Sequence, residues 1–219
     1  MSGTTMENRL AASLLDAHRR CARQGLLGSD GASLSLRLPG PCEGLLYVSP
    51  ASTGVRRWDG MGRDAEAPPE IAVHAAIYGV RDDVGAILYG GGRFGSALAG
   101  LRGEMPVVFD EQARHLGRMG RPASAAARTL AKAIGAGANA LLIDGVPVCL
   151  GTTCQRMVQN AELFEKCAKA YVLAASTGQP VTTLPWWVCR IAMGRLRRDE
   201  RHAAQRFAQG MLPEEVRGY

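Results

Sequence analysis

The chain has 219 residues, of which 47% are hydrophobic and 21% are charged. These values exclude a long disordered chain and favour one globular domain with at most a short tail. The N-terminal stretch MSGTTMENRL lacks the apolar run of a signal peptide, and no segment is apolar enough over a sufficient length to span a bilayer. We therefore expect a cytoplasmic protein that has no membrane partner.

The net charge of +6 is concentrated near the C-terminus. Residues 190–206 hold six arginines against Asp199 and Glu200, which gives this segment a charge of +4. We interpret the segment as a solvated helix face, because it holds few aromatic residues that could stack on bases. A nucleic-acid partner is therefore unlikely on sequence grounds. The adjacent Trp186 and Trp187 suggest that this end of the chain packs on something.

The six cysteines contain no CxxC pair, and a reducing compartment with free thiols is the simplest account of them. Cys149 and Cys154 lie close in sequence, but too few other ligands lie near them for a zinc site.

Hydrophobic spacing predicts the elements in chain order. A helix is expected over residues 10–24 and ends at Gly25, and the alternation in ASLSLRL predicts a half-buried strand over 32–38 that pairs with a strand over 45–48. A loop is predicted over 55–69. The remaining predicted helices cover 70–78, 123–133 and 154–176, with one that starts over 95–100 and a last basic helix. The remaining predicted strands cover 85–89, 107–110, 140–143 and 146–150, and an Asp-Gly turn joins the last two as a hairpin.

Helices interleaved with hairpins favour a three-layer α/β/α fold, in which a central and mostly antiparallel sheet is flanked by helices. We expect residues 1–185 to form this domain and residues 186–219 to form a basic helical tail. The sequence contains neither GxGxxG nor GxxxxGK[ST], so no motif supports a nucleotide-binding fold.

Several stretches, in this order, resemble the class II aldolase/adducin family over about residues 8–178. A glycine turn leads into GASLSLR, and an SPASTG turn follows. Glu70 then opens a helix that runs into HAAIYGVRDDV, and FDEQARHLG and AELFEKCAKAYVLA complete the set. The resemblance implies a metal-assisted lyase that holds zinc with three histidines.

The family's ligand positions carry other residues here. An HxH pair after the strand corresponds to Tyr89 and Gly91, and the histidine of an NHG-type turn corresponds to Asp144. One phenol and one carboxylate fall short of the ligand number of a zinc site, so we predict that the chain uses no metal or other cofactor. His74 matches a family position that is not a ligand, and we expect it to be packed or hydrogen-bonded.

The resemblance also implies that Glu70 moves a proton and that two turns bind a phosphate. Our predicted catalytic residues are Glu70, Tyr89 and Asp144. Glycine amides beside an arginine can form an anion nest, although glycines can equally fill space left by lost ligands. The predicted substrate- or anion-binding residues are Ser33, Ser52, Thr53, Gly54, Gly90, Gly91 and Arg93.

Three functions remain open. The first is a metal-independent lyase or isomerase that acts on a small carbonyl or hydroxy-acid substrate. The second is an inactive pseudoenzyme that serves as a scaffold or as the partner of an active paralogue. The third is a binder of nucleic acid or of an acidic partner through the arginine-rich tail. The family resemblance implies a homotetramer, or a hetero-oligomer with a paralogue.

Overall fold

The computed structural model of the chain describes residues 3–28, 30–39, 44–49, 54–59, 71–135 and 137–215. The strands are β1 (Ser33–Leu38), β2 (Gly44–Val48), β3 (Arg56–Trp58), β4 (Ala86–Tyr89), β5 (Ala140–Ile143) and β6 (Val146–Gly151). The helices are α1 (Gly3–Arg23), α2 (Ala72–Tyr78), α3 (Arg93–Ala97), α4 (Ala127–Ala133), α5 (Cys154–Ala175) and α6 (Trp186–Ala208).

The six strands form one sheet in the order β3-β2-β1-β4-β6-β5, and every neighbouring pair is antiparallel. Leu34 and Leu88 face the layer that contains Phe164 of α5, whereas Ile87 faces the layer that contains Ile77 of α2. Successive residues of a strand point to opposite faces, so the sheet separates two apolar cores. The predicted three-layer α/β/α fold is confirmed.

Both predicted hairpins are confirmed. β1 pairs with β2 with Leu34 opposite Val48, and β5 pairs with β6. Asp144 and Gly145 connect β5 to β6 with φ angles of 49° and 82°. A two-residue hairpin turn with positive φ at both positions favours the Asp-Gly pair found here.

The prediction that β1 is half-buried is wrong. Ser33 and Ser35, on its polar face, are only 1% and 0% exposed. Helix α2 covers this face and brings His74 and Tyr78 into hydrogen-bonding distance of the two hydroxyls. Burial of a hydroxyl costs little free energy when it is hydrogen-bonded, so an alternating pattern can belong to a strand that is buried on both faces.

The predicted strand over 107–110 is also wrong. The side-chain amide of Gln112 donates to the carbonyl of Pro106 at 3.0 Å, and its oxygen accepts from the amide of Val108 at 3.0 Å. A side chain therefore takes the place of a neighbouring strand, and the backbone enters a π-helical turn over Gln112–Leu116. Conversely, β3 forms inside the predicted loop 55–69, of which residues 60–69 lie outside the described ranges.

Helix α4 begins at Ala127, four residues later than predicted. Ala123 instead forms a bridge with Ile143, and its amide donates to the carbonyl of Leu142 at 3.0 Å. This residue therefore extends the hydrogen bonding of the sheet at β5.

Helix α6 packs on the domain through a buried ion cluster. The Arg81 guanidinium contacts Asp83 at 2.6 Å and Glu200 of α6 at 3.2 Å. It also donates to the side chain of Asn139 at 3.1 Å. The second oxygen of Glu200 accepts from the amide of Gly137 at 2.9 Å. Buried ion pairs and hydrogen bonds thus hold the basic C-terminal helix against the sheet.

Five cysteines lie in the described ranges, and all five are free and buried: Cys21, Cys149, Cys154, Cys167 and Cys189. Across the described residues, the helices are too short or too polar to cross a bilayer.

Candidate functional site

The site that the family resemblance indicates lies at the C-terminal end of β4. Tyr89 ends this strand and stands opposite Ser33 of β1 and Val148 of β6. Its side chain is half-buried, and Asp144 is close enough for its charge to act on the phenol. Burial, and to a lesser degree the negative charge of Asp144, raise the pKa of Tyr89. Tyr89 is therefore a neutral hydrogen-bond donor at physiological pH.

A buried polar cluster lies behind Tyr89. The His74 ring contacts the Ser33 hydroxyl through Nε2 at 2.9 Å and the Ser35 hydroxyl through Nδ1 at 2.7 Å. Burial lowers the pKa of His74 to about 3, so the imidazole is neutral, with one ring nitrogen donating and the other accepting. Its ring centroid lies 6.3 Å from that of Tyr89. The prediction that His74 is hydrogen-bonded is confirmed.

The glycines after Tyr89 are closely packed. The amide of Gly90 donates to the carbonyl of Pro147 at 2.8 Å. A Cβ on Gly91 would lie 2.6 Å from Cβ and Cγ of Pro147, and a Cβ on Gly92 would lie 2.4 Å from the carboxyl carbon of Glu165. Gly91 has no room for a side chain, because carbon atoms do not approach this closely and the ring of Pro147 is rigid. A side chain at Gly92 would require the end of the Glu165 side chain to move.

After these glycines, backbone N–H groups at the start of α3 donate hydrogen bonds to the carboxylate of Glu165. Phe94 and Gly95 donate their N–H groups to the two oxygens of Glu165 at 2.9 and 2.8 Å. Arg93 is exposed, and its guanidinium lies 4.9 Å from the ring centre of Phe94. A cavity of about 660 Å³ lies here, and its walls include Gly91, Arg93, Glu165 and Lys169.

The structure thus divides the predicted residues into two groups. Tyr89, Asp144 and Ser33 lie around the end of β4, although the Ser33 hydroxyl already contacts His74. Gly91 and Arg93 line the cavity beside Glu165. Gly90 lies between the two groups. Gly54 precedes β3, and no described atom lies within 4 Å of the position that a Cβ on it would take. Glu70, Ser52 and Thr53 lie outside the described residues.

Sequence reasoning missed Glu165 and Pro147. Glu165 lies 71 positions after Phe94, whose amide it accepts, and no local pattern connects the two. The helical spacing of AELFEKCAKAYVLA marks Glu165 only as a polar position of an amphipathic helix. Pro147 follows the Asp-Gly turn by two positions, but its contact with Gly91 depends on the pairing of β4 with β6.

A zinc ion does not fit the described side chains at the three family ligand positions. Tyr89 offers a phenol and Asp144 an exposed carboxylate, while Gly91 offers nothing and has no room for a substitute. Zinc sites normally use three or four N, S or O ligands. In the described part of the chain, no group of three or more His, Cys, Asp or Glu residues lies close enough together to hold a metal ion.

Comparison with solved structures finds the same fold. YgbL from Escherichia coli, described as a putative aldolase/epimerase/decarboxylase, aligns with a TM-score of 0.70 at 19% identity over 88% of this chain and 99% of its own. An L-fuculose 1-phosphate aldolase aligns with a TM-score of 0.71 at 19% identity over 86% of this chain and 96% of its own. An aldolase II superfamily protein from Pseudomonas syringae aligns with a TM-score of 0.67 at 18% identity, over 97% of this chain and 96% of its own.

A search of curated proteins finds no significant match. The sequence does match the class II aldolase and adducin N-terminal domain over residues 12–172, which is most of the chain. The chain therefore belongs to the class II aldolase and adducin family.

Proposed function

We propose that this chain is a lyase- or isomerase-type enzyme that has lost the family's zinc site and acts without metal on a small carbonyl or hydroxy-acid substrate. The observation that carries the proposal is the half-buried Tyr89 at the end of β4, whose pKa is raised by burial and by Asp144. The similar structures include proteins named as aldolases, which is consistent with chemistry at a carbonyl group.

In this proposal Tyr89 supplies the electrophilic assistance that a metal would otherwise give. Its phenol stays protonated at neutral pH and donates a hydrogen bond to the substrate's carbonyl oxygen as negative charge develops there. The exposed carboxylate of Asp144 accepts from a substrate hydroxyl. Glu70, whose role follows from the family resemblance, takes the proton from the adjacent carbon. Proton abstraction beside a carbonyl fits an isomerisation or an aldol addition. In the reverse, retro-aldol direction a hydroxyl proton leaves, the C–C bond breaks, and Glu70 returns a proton to the carbon beside the carbonyl.

The experiment is deuterium wash-in at the carbon beside the carbonyl, followed by NMR over a panel of small ketoses and hydroxy acids. We expect exchange that EDTA does not abolish and that Tyr89→Phe slows about 10²- to 10⁴-fold, because one general acid contributes that much. Tyr171→Phe on α5 is the matched control and should leave the rate unchanged. Exchange that requires added zinc, or that survives Tyr89→Phe at full rate, would contradict the proposal.

The second candidate is a pseudoenzyme that partners an active paralogue, and the packing of the glycine loop favours it. Glu165 occupies the amides of Phe94 and Gly95, which an anionic substrate group would otherwise use. In either case we propose an oligomer, either a homotetramer or a hetero-oligomer with a paralogue. Light scattering of the purified chain tests this, because a monomeric mass alone and with the paralogue would refute both assemblies.

A further inference from the structure

The first turns of α6 expose large apolar side chains. Trp186, Trp187 and Ile191 are 71%, 55% and 59% exposed. Soluble proteins rarely leave tryptophan pairs in water, and such patches mark interaction sites. The side of the same helix that faces the domain is buried through Cys189 and Leu196. The exposed residues therefore form an outer surface of a helix that is itself held firmly in place.

The two acidic residues of α6 pair with cations of the domain. Asp199 contacts Arg114 at 2.7 Å, and Glu200 is buried against Arg81 at 3.2 Å. Each carboxylate is thus matched by a cation of the domain. Arg197 of the same helix also lines a cavity with Asp82, Asp83 and Glu200.

A groove of about 460 Å³ runs beside the exposed tryptophan. Its walls among the described residues are Arg118, Trp186, Arg190, Met193, Gly194 and Arg197, and none of these carries a carboxylate. Arg118, Arg190 and Arg197 are exposed, and within the described ranges none of them forms an ion pair. Gly194 has open space where a side chain would stand. We call this feature the α6 groove.

The charge and shape of the α6 groove indicate which kind of partner it can bind. A second copy of this face would bring like charges together, which disfavours self-association through it. A lipid surface would favour protruding apolar side chains, whereas Trp186 forms a wall of a groove between guanidinium groups. Single-stranded nucleic acid combines both features, because its bases stack on aromatic rings while its phosphates meet arginines.

We propose that the α6 groove binds single-stranded nucleic acid, with a base against Trp186 and phosphates on Arg118, Arg190 and Arg197. This activity is independent of the chemistry proposed at Tyr89. It reverses the expectation from the sequence, which counts the arginines of the segment but does not show that Asp199 pairs with Arg114 and Glu200 with Arg81.

The test is fluorescence anisotropy of a fluorescein-labelled oligouridylate of about 20 nucleotides, titrated with the full chain in about 50 to 200 mM KCl. Single-strand binding changes log K by about −0.7 per log[salt] for each phosphate contact, so three arginines predict a slope of about −2. The paired substitution Arg190→Gln/Arg197→Gln should reduce that slope to about −0.7. The matched control is Arg23→Gln/Arg121→Gln, which removes the same charge from exposed positions elsewhere and should keep the slope.

Trp186→Ala should weaken binding about 5- to 150-fold, which is the loss of one stacked base, whereas Trp186→Phe should retain most of it. Trp186 is 71% exposed, so circular dichroism melting should show unchanged folding for both variants. The proposal fails if no salt-dependent binding is seen in about 50 mM KCl. It also fails if Arg23→Gln/Arg121→Gln weakens binding as much as Arg190→Gln/Arg197→Gln. Competition by polyglutamate as strong as that by unlabelled oligouridylate would likewise refute it. Binding of anionic vesicles without binding of the oligonucleotide would show that the groove binds lipid instead.

Discussion

The two ends of strand β4 differ in the charge of the polar groups around them. Just before its start, Arg81 is buried among two carboxylates, an amide side chain and three backbone carbonyls. At its end, Tyr89 lies near a neutral imidazole and one exposed carboxylate. At the first end charges are matched by charges and hold α6 in place. At the second end neutral groups predominate, and the neutral phenol of Tyr89 can donate a hydrogen bond.

The largest effect should come from breaking the charged end. Arg81→Ala leaves Glu200 and Asp83 without their main cation, and the loss of one partner of a buried ion pair costs about 3–5 kcal/mol. Urea denaturation measures this as a lower free energy of unfolding. Arg19→Ala, which breaks an exposed pair with Asp16, is the control and should change that free energy by less than about 1 kcal/mol. Equal losses in the two variants would show that burial of the Arg81 cluster does not matter.

The neutral imidazole of His74, near the C-terminal end of β4, should make the free energy of unfolding depend on pH. Burial lowers the pKa of His74 to about 3, against 6.5 in the unfolded chain. Between these values the unfolded chain binds a proton that the folded chain does not. The stability from neutral His74 is therefore complete above about pH 6.5 and is lost as the pH falls towards about 3.

His74→Gln removes this titration and keeps a polar side chain beside the serines. Between about pH 6 and pH 4, the free energy of unfolding of the natural chain should fall more steeply than that of the variant, by about 1.4 kcal/mol per pH unit. The comparison uses slopes, so a lower overall stability of the variant does not affect it. Parallel curves would mean that His74 is protonated in the folded protein.

The smallest effect should come from the glycine loop. Gly91→Ala places a methyl group 2.6 Å from the rigid ring of Pro147, and overpacking of this kind costs about 1–3 kcal/mol. Gly100→Ala, where no atom lies within 4 Å of the added Cβ, is the matched control and should be close to neutral. A neutral Gly91→Ala in thermal denaturation would show that β6 yields and that a side chain could be accommodated there.

Much of the fold could be predicted because its signals are local. The alternation of leucines in β1, the Asp-Gly turn and the helical spacing of α5 are all readable within a few residues. The short strand β3 and the side-chain bonds of Gln112 escaped prediction, because short elements depend on tertiary partners.

The candidate site was predicted less completely, since its environment comes from distant parts of the chain. The family resemblance located Tyr89 and Asp144, and in the structure the charge of Asp144 acts on the phenol of Tyr89. It could not show that Glu165 occupies the amides of α3 or that Pro147 closes the space around Gly91. Both contacts depend on how α5 and β6 pack against β4, which no sequence window contains.

The buried thiols give this protein an internal probe of its own motions. Burial raises the pKa of Cys154 to about 11 and that of Cys167 to about 12, and the thiolate is the form that reacts with alkylating reagents. Cys21, Cys154 and Cys167 all lie in the core between the sheet and helices α1 and α5. Cys21 and Cys167 are 0% exposed and react only when their surroundings open, whereas Cys154 is 7% exposed and lines a cavity. The alkylation rates of Cys21 and Cys167, measured by mass spectrometry, therefore report the opening free energy of this layer without an introduced label.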